Sequence, residues 1–419
     1  MFMRRGVGGR LTAVIAALLW CVVLGNDNLL GSSGTLQEPA QSKEEAHEIA
    51  FTIIDNRPFL DVFVNGHGPF KFLLDSAGSS LISADLVKRL QIKTYGAFVG
   101  EGVGENVVHA SYCDVKDVQV GNLDFGSQKL ITTDLSEVRK AIGFKQFDGI
   151  VGRRFFLQGS VTIDFVSHTI VLEQRSSRTI EPEEVKLPLY FIDGLPVVDA
   201  TAGGVPGKFT LDTGDRWWLT LYAPFVKSHR VLLGHRQGPV MMTGWGAAGA
   251  VQARVERLDS LVLGTRRIED VLVRIPVGRM GAFSRSDISG NIGSGVLRDF
   301  KKITFDFRNR AVILQGTPVG TQASRAKFDR SGMWLVEARD GFKVFWLLRG
   351  GPAALAGFRE GDVVVSVNGI PTKKLFLPDL REQLSENRND TVSMVVRSER
   401  QLISRKIRLK SLVQESSVK

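Results

Sequence analysis

One local pattern occurs twice in this chain, and it constrains the fold more than any other feature. An apolar strand ends at an acidic residue and is followed at once by a turn of small residues, first at residues 68–80 and again at residues 207–215. The two acids are Asp75 and Asp212. Small residues after a strand allow the chain to turn tightly. The pattern therefore predicts two strands that each present a carboxylate at a turn.

The elements after each acid also repeat, and they do so in the same order. Alternating and β-branched runs separated by Gly and Asn predict strands and turns, with one short helix before each closing hairpin. An ordered match of this kind indicates duplication, and hence two similar lobes. The paired elements are glycine-rich stretches at 99–104 and 241–249, strands with a turn at 118–123 and 261–264, short helices at 155–157 and 296–297, and closing hairpins at 161–172 and 303–314.

The N-terminus has the layout of a targeting segment. Arg4, Arg5 and Arg10 precede an apolar run over residues 11–24, which is short for a membrane span and typical of a signal peptide. We predict an exported protein. The sequence leaves open whether the segment is cleaved or retained as an anchor, and so whether the product is periplasmic, membrane-anchored facing the periplasm, or secreted.

A chain of 419 residues is long enough for several domains. We predict a signal peptide or N-terminal anchor at 1–25 and a flexible linker at 26–48. Lobe 1 follows at 49–176, lobe 2 at 184–316, and a separate C-terminal module at 329–412.

The cysteine content and the net charge limit which disulfides and which partners we expect. Cys21 lies in the targeting segment, so Cys113 has no partner for a disulfide in the mature chain, and we expect it to be a buried thiol. The net charge of +10 is spread out, without a dense block of Lys and Arg. We therefore predict no nucleic-acid partner, and membrane contact only through the N-terminal segment.

Two carboxylates at equivalent places in two similar lobes suggest an acid dyad. Two carboxyls in contact cannot both ionise easily, so they share a proton. One can then accept a proton from water while the other donates a proton to a peptide carbonyl. This chemistry needs neither a metal nor a cofactor. The chain also lacks the His-Glu-x-x-His and Gly-x-Ser-x-Gly motifs of zinc and serine hydrolases.

The acid loops resemble those of aspartic proteases. Asp212-Thr213-Gly214 matches the Asp-Thr/Ser-Gly motif of that family, and Asp75-Ser76-Ala77-Gly78 is similar to a variant of it. Residues 150–152 and 291–293 resemble the hydrophobic-hydrophobic-Gly segment beside the acid loop. The resemblance covers about residues 50 to 316. It implies a mainly β fold of two retropepsin-like barrel lobes, joined in one chain as in pepsin-like enzymes.

The resemblance also implies roles for particular residues. Asp75 and Asp212 would be the catalytic dyad, and the glycine-rich stretches would be flaps that close over an extended peptide. The residues implied to support the dyad are Ser76, Gly78, Thr213 and Gly214. Those implied for the flaps are Gly102, Gly104, Gly244 and Trp245.

Three departures from the family pattern carry expectations of their own. Ala77 stands where the family has Gly, which predicts a shifted or distorted first loop. Asp215 adds a third acid that would perturb proton sharing, with Arg216 as the expected neutralising charge. Asn291 is polar where the family segment is apolar. These departures keep open a catalytically inactive, peptide-binding protein as an alternative.

The C-terminal module carries a signature at residues 350–369 that closely resembles bacterial PDZ domains. In such domains a Gly-hydrophobic loop binds the C-terminal carboxylate of a peptide, which adds a strand to the sheet edge. The resemblance places the helix beside this groove at residues 379–384. The loop residues implied are Gly332, Met333, Trp334 and Leu335. The alternative is that the module only docks on the lobes.

Together these features predict an exported aspartic endopeptidase whose PDZ domain recognises a substrate or partner. The expected partners are a peptide or protein substrate and a C-terminal peptide ligand at the PDZ domain. Besides the inactive peptide-binding protein, an adaptor in which only the PDZ domain matters remains open.

Overall fold

The structure is a computed structural model that describes residues 46–174, 179–229, 231, 237–278, 281–316, 327–386 and 390–413. The predicted signal or anchor and most of the predicted linker lie outside these residues. Residues 46–48, predicted as linker, already belong to the first strand. The fold is mainly β, which confirms the predicted fold class.

Lobe 1 consists of short strands with three helical turns. Its second helix ends at Gly143, whose φ of 78° is a left-handed conformation that glycine adopts without strain. The helices are α1 (Ala84–Arg89), α2 (Ser136–Ile142) and a 3₁₀ turn at Phe155–Leu157. The strands are β1 (Ala46–Ile54), β2 (Arg57–Val64), β3 (His67–Leu74), β4 (Leu81–Ser83), β5 (Thr94–Gly100), β6 (Val108–Val115), β7 (Val118–Val120), β8 (Leu123–Asp124), β9 (Gln128–Thr133), β10 (Phe147–Val151), β11 (Ser160–Asp164) and β12 (Thr169–Glu173).

Lobe 2 repeats this plan with a longer central hairpin. Its helices are α3 (Ala223–His229), α4 (Ser294–Leu297) and a 3₁₀ turn at Ala282–Ser284. The strands are β13 (Glu184–Pro188), β14 (Tyr190–Ile192), β15 (Leu195–Ala202), β16 (Val205–Asp212), β17 (Leu219–Leu221), β18 (Val240–Gly246), β19 (Gly249–Leu263), β20 (Arg266–Pro276), β21 (Gly290–Gly293), β22 (Lys302–Asp306) and β23 (Ala311–Gln315).

The strand order is the same in both lobes. Lobe 1 runs β2-β3-β10-β4-β9-β6-β5, and lobe 2 runs β15-β16-β21-β17-β20-β19-β18. In each lobe the strand before the acid pairs in parallel with the strand that contains the distal Gly segment. The repeat in the sequence is therefore a repeat of tertiary structure.

The two lobes are joined by a shared sheet. Its order is β13-β23-β22-β11-β12-β1, and β11 of lobe 1 pairs antiparallel with β22 of lobe 2. Beneath this sheet Phe156 packs edge-on against Phe305 and stacks on Phe307. One hydrophobic core runs through both lobes, so burial of apolar surface fixes them relative to each other.

Cys113 lies on β6 within this core and is fully buried. Burial raises the pKa of its thiol to about 11, so it stays neutral at physiological pH. The expectation of a buried thiol is confirmed.

The C-terminal module has a core of its own. Its sheet order is β24-β25-β26-β28-β29, with β27 paired to β26. The helices are α5 (Pro352–Leu355), α6 (Leu377–Ser385) and a 3₁₀ turn at Thr372–Lys374. The strands are β24 (Met333–Ala338), β25 (Gly341–Leu347), β26 (Val363–Val367), β27 (Ile370–Pro371), β28 (Thr391–Ser398) and β29 (Gln401–Arg408).

None of the helices in the described part of the chain combines the length and apolar character needed to cross a membrane.

Candidate active site

The two acid loops lie side by side where the lobes meet. Asp75 directly follows β3, and Asp212 is the last residue of β16. The backbone amide of Asp75 donates to the carbonyl of Val151 at 3.0 Å, which ties the first acid to the Gly segment of its lobe. The carboxyl groups of the two acids are close enough for each to affect the pKa of the other. The fold thus brings together the two residues that the sequence pairs.

Hydroxyl groups lock one loop to the other. Ser76 Oγ donates to the carbonyl of Leu211 at 2.8 Å, and Thr213 Oγ1 donates to the carbonyl of Leu74 at 2.8 Å. Each hydroxyl also accepts from the backbone amide of the other residue, at 3.0 and 3.1 Å. Ser76 and Thr213 are the hydroxyl residues that the resemblance implies as support for the dyad. Both side chains are fully buried beside the opposite strand, so they fix the distance between the loops.

Backbone amides hold the carboxylates. Asp75 Oδ1 accepts from the amides of Ala77 at 3.0 Å and Gly78 at 2.6 Å. Asp212 Oδ1 accepts in the same way from the amides two and three residues further on, at 2.9 and 3.0 Å. Ala77 thus takes the place that Gly214 has in lobe 2. The first loop is neither shifted nor distorted, because Ala77 does not need a positive φ there.

Two glycines make room for Asp75. A Cβ on Gly78 would lie 2.4 Å from Asp75 Oδ2, and a Cβ on Gly214 would lie 2.4 Å from its Cγ. Neither distance is compatible with a side chain. The methyl group of Ala77 is accommodated instead in an apolar cluster with Leu195 and Tyr222. The two loops therefore share their hydrogen bonds but differ in local packing.

Burial raises the pKa of both acids. For Asp75 the amides of its loop and the interaction with Asp212 act in the opposite direction. For Asp212 the charges of Asp75 and Asp215 raise the pKa further, so it lies well above its usual range. Two interacting carboxyls with raised pKa values favour a state in which the pair shares one proton.

The third acid, Asp215, is neutralised by Arg274 rather than by Arg216. Arg274 Nη2 lies 2.7 Å from Asp215 Oδ2, and its side chain is only 3% exposed. Asn291 Nδ2 donates to Asp215 Oδ2 at 2.9 Å and to Asp212 Oδ2 at 3.1 Å. The polar residue in the Gly segment thus bridges the dyad and the third acid.

Arg216 points to lobe 1. Its Nε lies 2.7 Å from Asp55 Oδ1, and Arg57 Nη2 lies 2.8 Å from Asp55 Oδ2. Burial acts to raise the pKa of Asp55, but the two guanidinium groups outweigh it and hold that pKa at about 2. This ion-pair cluster links the turn between β1 and β2 to the second acid loop. Sequence reasoning missed Asp55, for which the only local signal is a turn.

Above the dyad lies a cavity of about 120 Å³ with one apolar wall. Three positions on one side of α2 or just before it contribute to this wall: Leu135, Val138 and Ile142. The remaining apolar residues of the wall are Leu73, Leu81, Phe147 and Ile150. Such a wall suits an apolar side chain of a bound peptide.

Two hairpin tips meet over the dyad. The amide of Asn106 donates to the carbonyl of Ala248 at 2.9 Å, and the amide of Ala248 donates to the carbonyl of Val103 at 3.0 Å. Gly104 forms a parallel bridge with Ala248, and a Cβ on Gly104 would lie 2.3 Å from the Ala248 carbonyl. Gly102 lies in the same connection between β5 and β6. The hairpins predicted as flaps therefore close over the acids.

The other two residues predicted for the flaps lie on β18. Gly244 and Trp245 both line the cavity. The Trp245 ring also packs edge-on against Phe345 of the C-terminal module, with ring centroids 5.0 Å apart. Trp245 is thus shared between the cavity and the contact with the module.

The loop of the module that is predicted to bind peptides makes its contacts within the chain. Gly332 has a φ of 70°, and Met333 and Leu335 are buried in the core of the module. Trp334 faces the lobes and is 8% exposed. The carboxylate of Asp329 accepts from the amide of Gly332 at 2.7 Å.

Within the described ranges, no group of three or more His, Cys, Asp or Glu side chains is placed to hold a metal ion. The residues that sequence reasoning missed at the site are Arg274, Asp55 and the apolar residues of α2. Their positions depend on strand and helix packing, and no local motif marks them.

The fold and the acid loops define an aspartic-protease-like domain followed by a PDZ domain. Residues 60–155 match the family model of aspartyl proteases. Residues 346–398 match the family model of PDZ domains. The predicted resemblance is confirmed on both counts, and lobe 2 has the strand order of the matched lobe.

Solved structures of similar fold include aspartic proteases. The aspartic proteinase from Irpex lacteus is 14% identical over 67% of this chain and 100% of its own, with a TM-score of 0.42. A retropepsin-like aspartic protease from Rickettsia conorii is 20% identical over 33% of this chain and 96% of its own, with a TM-score of 0.23. Basic 7S globulin from soybean is 8% identical over 66% of this chain and 98% of its own, with a TM-score of 0.38. Among curated proteins, none matches the chain significantly.

Proposed function

We propose that the chain is an aspartic endopeptidase that hydrolyses peptide bonds with a water molecule activated by Asp75 and Asp212. The observation that carries the proposal is the pair of acid loops, locked to each other by reciprocal bonds of Ser76 and Thr213. This lock holds the two interacting carboxyls in a fixed geometry. Fixed donors and acceptors at the reacting atoms are the main requirement for general acid–base catalysis.

We assign the two roles from the position of Asp215, which Asn291 bridges to Asp212 and whose negative charge disfavours the ionised form of Asp212. Asp75 is then the ionised base that takes a proton from water as the water oxygen bonds to the peptide carbonyl carbon. Asp212 carries the shared proton and gives it to the carbonyl oxygen. The resulting gem-diol then collapses, the C–N bond breaks, and the nitrogen leaves with a proton returned from the dyad.

The surroundings support an extended peptide as substrate. The flap tips line the same cavity as the partly buried dyad, and water excluded by them would strengthen the electrostatic interactions within the site. The apolar wall formed by Leu135, Val138 and Ile142 favours an apolar side chain next to the scissile bond. Flap opening at the Gly104–Ala248 bridge is required for entry.

We further propose that the protein acts after export, on account of the N-terminal segment that resembles a signal peptide. The PDZ domain belongs to a class that recognises C-terminal peptides. With its groove free, it would serve substrate or partner recognition.

A second candidate is a peptide-binding protein without catalysis. The observation that favours it is Asp215, whose carboxylate is bridged to Asp212 by Asn291. If that charge raises the dyad pKa so far that Asp75 also keeps a proton, the base is lost. The groove and flaps would then bind peptides without cleaving them.

Cleavage of a peptide library by residues 46–419 across about pH 3 to 7 tests the proposal, because a proton-sharing dyad works in that range. Asp75→Asn and Asp212→Asn serve as controls that keep size and most hydrogen bonds. Cleavage that disappears in both variants supports an aspartic endopeptidase. Absence of cleavage by a folded protein refutes it, and retained peptide binding then points to the second candidate.

A further inference from the structure

The groove of the PDZ domain is bridged by Arg381. This groove lies between α6 and the outer edge of β24, which in the described part of the chain pairs only with β25. Arg381 on α6 donates through Nη2 to the carbonyl of Leu335 on β24 at 2.8 Å. A peptide that added a strand to β24 would need that edge. The carbonyl of Leu335 is already satisfied within the chain.

The same guanidinium holds the end of a helix in lobe 1. Arg381 Nη1 donates to the carbonyl of Ile142 at 2.8 Å, and Nη2 donates to the carbonyl of Ala141. These carbonyls belong to the last turn of α2, where backbone acceptors have no partner within the helix. A positive charge is favourable at this helix end. Arg381 therefore binds the C-terminus of α2 as a cap supplied by another domain.

The helix end fits closely against the module. A Cβ on Gly143 would lie 2.5 Å from Cβ of Leu377 on α6, so only glycine allows this approach. Phe144 packs edge-on against Phe376 with ring centroids 6.0 Å apart. The contact is therefore a packed interface and not a single hydrogen bond.

The backbone amides at the carboxylate-binding end of the groove also have hydrogen-bond partners within the chain. Asp329 Oδ1 accepts from the amides of Ser331 at 2.9 Å and Gly332 at 2.7 Å. These amides lie in the loop where a PDZ domain would hold the terminal carboxylate of a ligand. Both halves of the groove thus bond to groups of the chain itself.

The clamped helix forms part of the catalytic cavity. Val138 and Ile142 on α2, with Leu135 just before it, line the apolar wall beside the dyad. Val138 and Ile142 are one helical turn apart, and the carbonyl of Ile142 is one of the two carbonyls of α2 that Arg381 binds. A shift of this helix end would therefore move the wall.

A second contact joins the module to the loop after Asp212. The Trp334 ring contacts two guanidinium groups, with its centroid 4.5 Å from Cζ of Arg381 and 5.9 Å from Cζ of Arg216. Arg216 pairs with Asp55 and also lines the cavity that contains the dyad. The module therefore contacts both the apolar wall and the second acid loop.

We propose that the PDZ domain of this chain is an internal clamp on the catalytic groove, with Arg381 as a positioning residue that fixes the substrate-binding wall through α2. The proposal rests on the proposed endopeptidase function for its effect on substrates. It gives the module a role in shaping the site, in which the groove binds the C-terminus of α2 instead of a free peptide.

Arg381→Met tests the clamp, because it removes the donors and keeps most of the apolar stem. Arg405→Met is the matched control, since Arg405 bonds to the carbonyl of Ala356 within the module. For Arg381→Met we expect a KM about tenfold higher for cleaved peptides, since a misplacement of about 1 Å can cost up to about a hundredfold and a loosened helix end moves the wall by less than that. We expect kcat and both limbs of the pH profile to stay unchanged, and Arg405→Met to behave as the wild type.

Hydrogen exchange of the amides in α2 provides a readout that needs no activity. We expect exchange in Arg381→Met to be at least about tenfold faster over residues 136–144 and unchanged in β28 and β29. Should the wild-type protein cleave nothing, faster exchange still supports the clamp, although the proposed function has failed.

Arg381→Lys covers the case in which Arg381→Met unfolds the module. Lysine keeps the charge but loses the planar fork that reaches three carbonyls, so we expect an intermediate rise in KM and in exchange. Wild-type KM and wild-type exchange of α2 in the folded variants would overturn the proposal.

Discussion

Replacement of Asp215 by asparagine is expected to move the pH dependence of cleavage toward acid. The negative charge of Asp215 disfavours the ionised form of Asp212 and raises its pKa. Asp215→Asn removes this charge while an amide oxygen can still accept from Asn291 and Arg274. The pKa of Asp212 falls, so the dyad loses its shared proton at a lower pH. The alkaline limb of the profile therefore moves to lower pH.

The geometry sets the size of this shift. Asn291 Nδ2 lies 3.1 Å from Asp212 Oδ2 and 2.9 Å from Asp215 Oδ2, so these oxygens are at most about 6 Å apart. Two unit charges at about 6 Å interact by about 3 kcal/mol at an effective dielectric constant of about 20. That energy corresponds to about 2 pKa units. The Asp215 side chain is 11% exposed and partly screened, so we expect a shift of about 1 to 2 units.

The assay is kcat/KM for one cleaved peptide as a function of pH, since this profile reports the pKa values of the free enzyme. Asp270→Asn is the matched control, because Asp270 forms an ion pair with Arg257 in the same lobe, at 3.0 Å, away from the dyad. We expect its profile to match that of the wild type. An alkaline limb that moves by less than about 0.3 units in folded Asp215→Asn would show that the third acid does not act on the dyad electrostatically.

Two further predictions concern the loop lock and the flaps. Thr213→Val removes the hydroxyl that bonds to the carbonyl of Leu74, and we expect a loss of about 1 to 3 kcal/mol in the free energy of unfolding by urea, with lower kcat. Thr213→Ser should retain both, and equal stability of the valine variant would contradict the lock. Gly104→Ala places a methyl group against Ala248 at a φ of 118°, so we expect a fall in kcat/KM of about tenfold or more. Unchanged kcat/KM in this variant would mean that contact between the flap tips is not needed for cleavage.

Local sequence patterns were sufficient for the architecture and the central residues. The acid loops at Asp75 and Asp212 could be predicted because a strand that ends in a small-residue turn is a local feature, and because it occurs twice in the same order. The PDZ signature at residues 350–369 could be recognised for the same reason. The mainly β fold class follows from strand periodicity, which also depends on neighbours in the chain.

The contacts that complete the site could not be read from the sequence. Arg216 is adjacent to Asp215 in the chain, yet the partner of Asp215 is Arg274, which β20 brings from 59 positions away. The hydroxyl of Thr213 bonds to the opposite lobe because the two loops are buried against each other. Residues adjacent in sequence find different partners when their side chains point to opposite sides of a turn.

The sequence by itself determined two lobes with paired acids and a C-terminal PDZ module, since each follows from short-range pattern and repetition. Only the tertiary structure decided how these parts act on one another. The ion pair of Asp215, the closure of the flaps and the cap that Arg381 places on α2, 240 positions away, all depend on it. These contacts arise where buried polar groups must find partners across packed surfaces, and local propensity does not encode which surfaces meet.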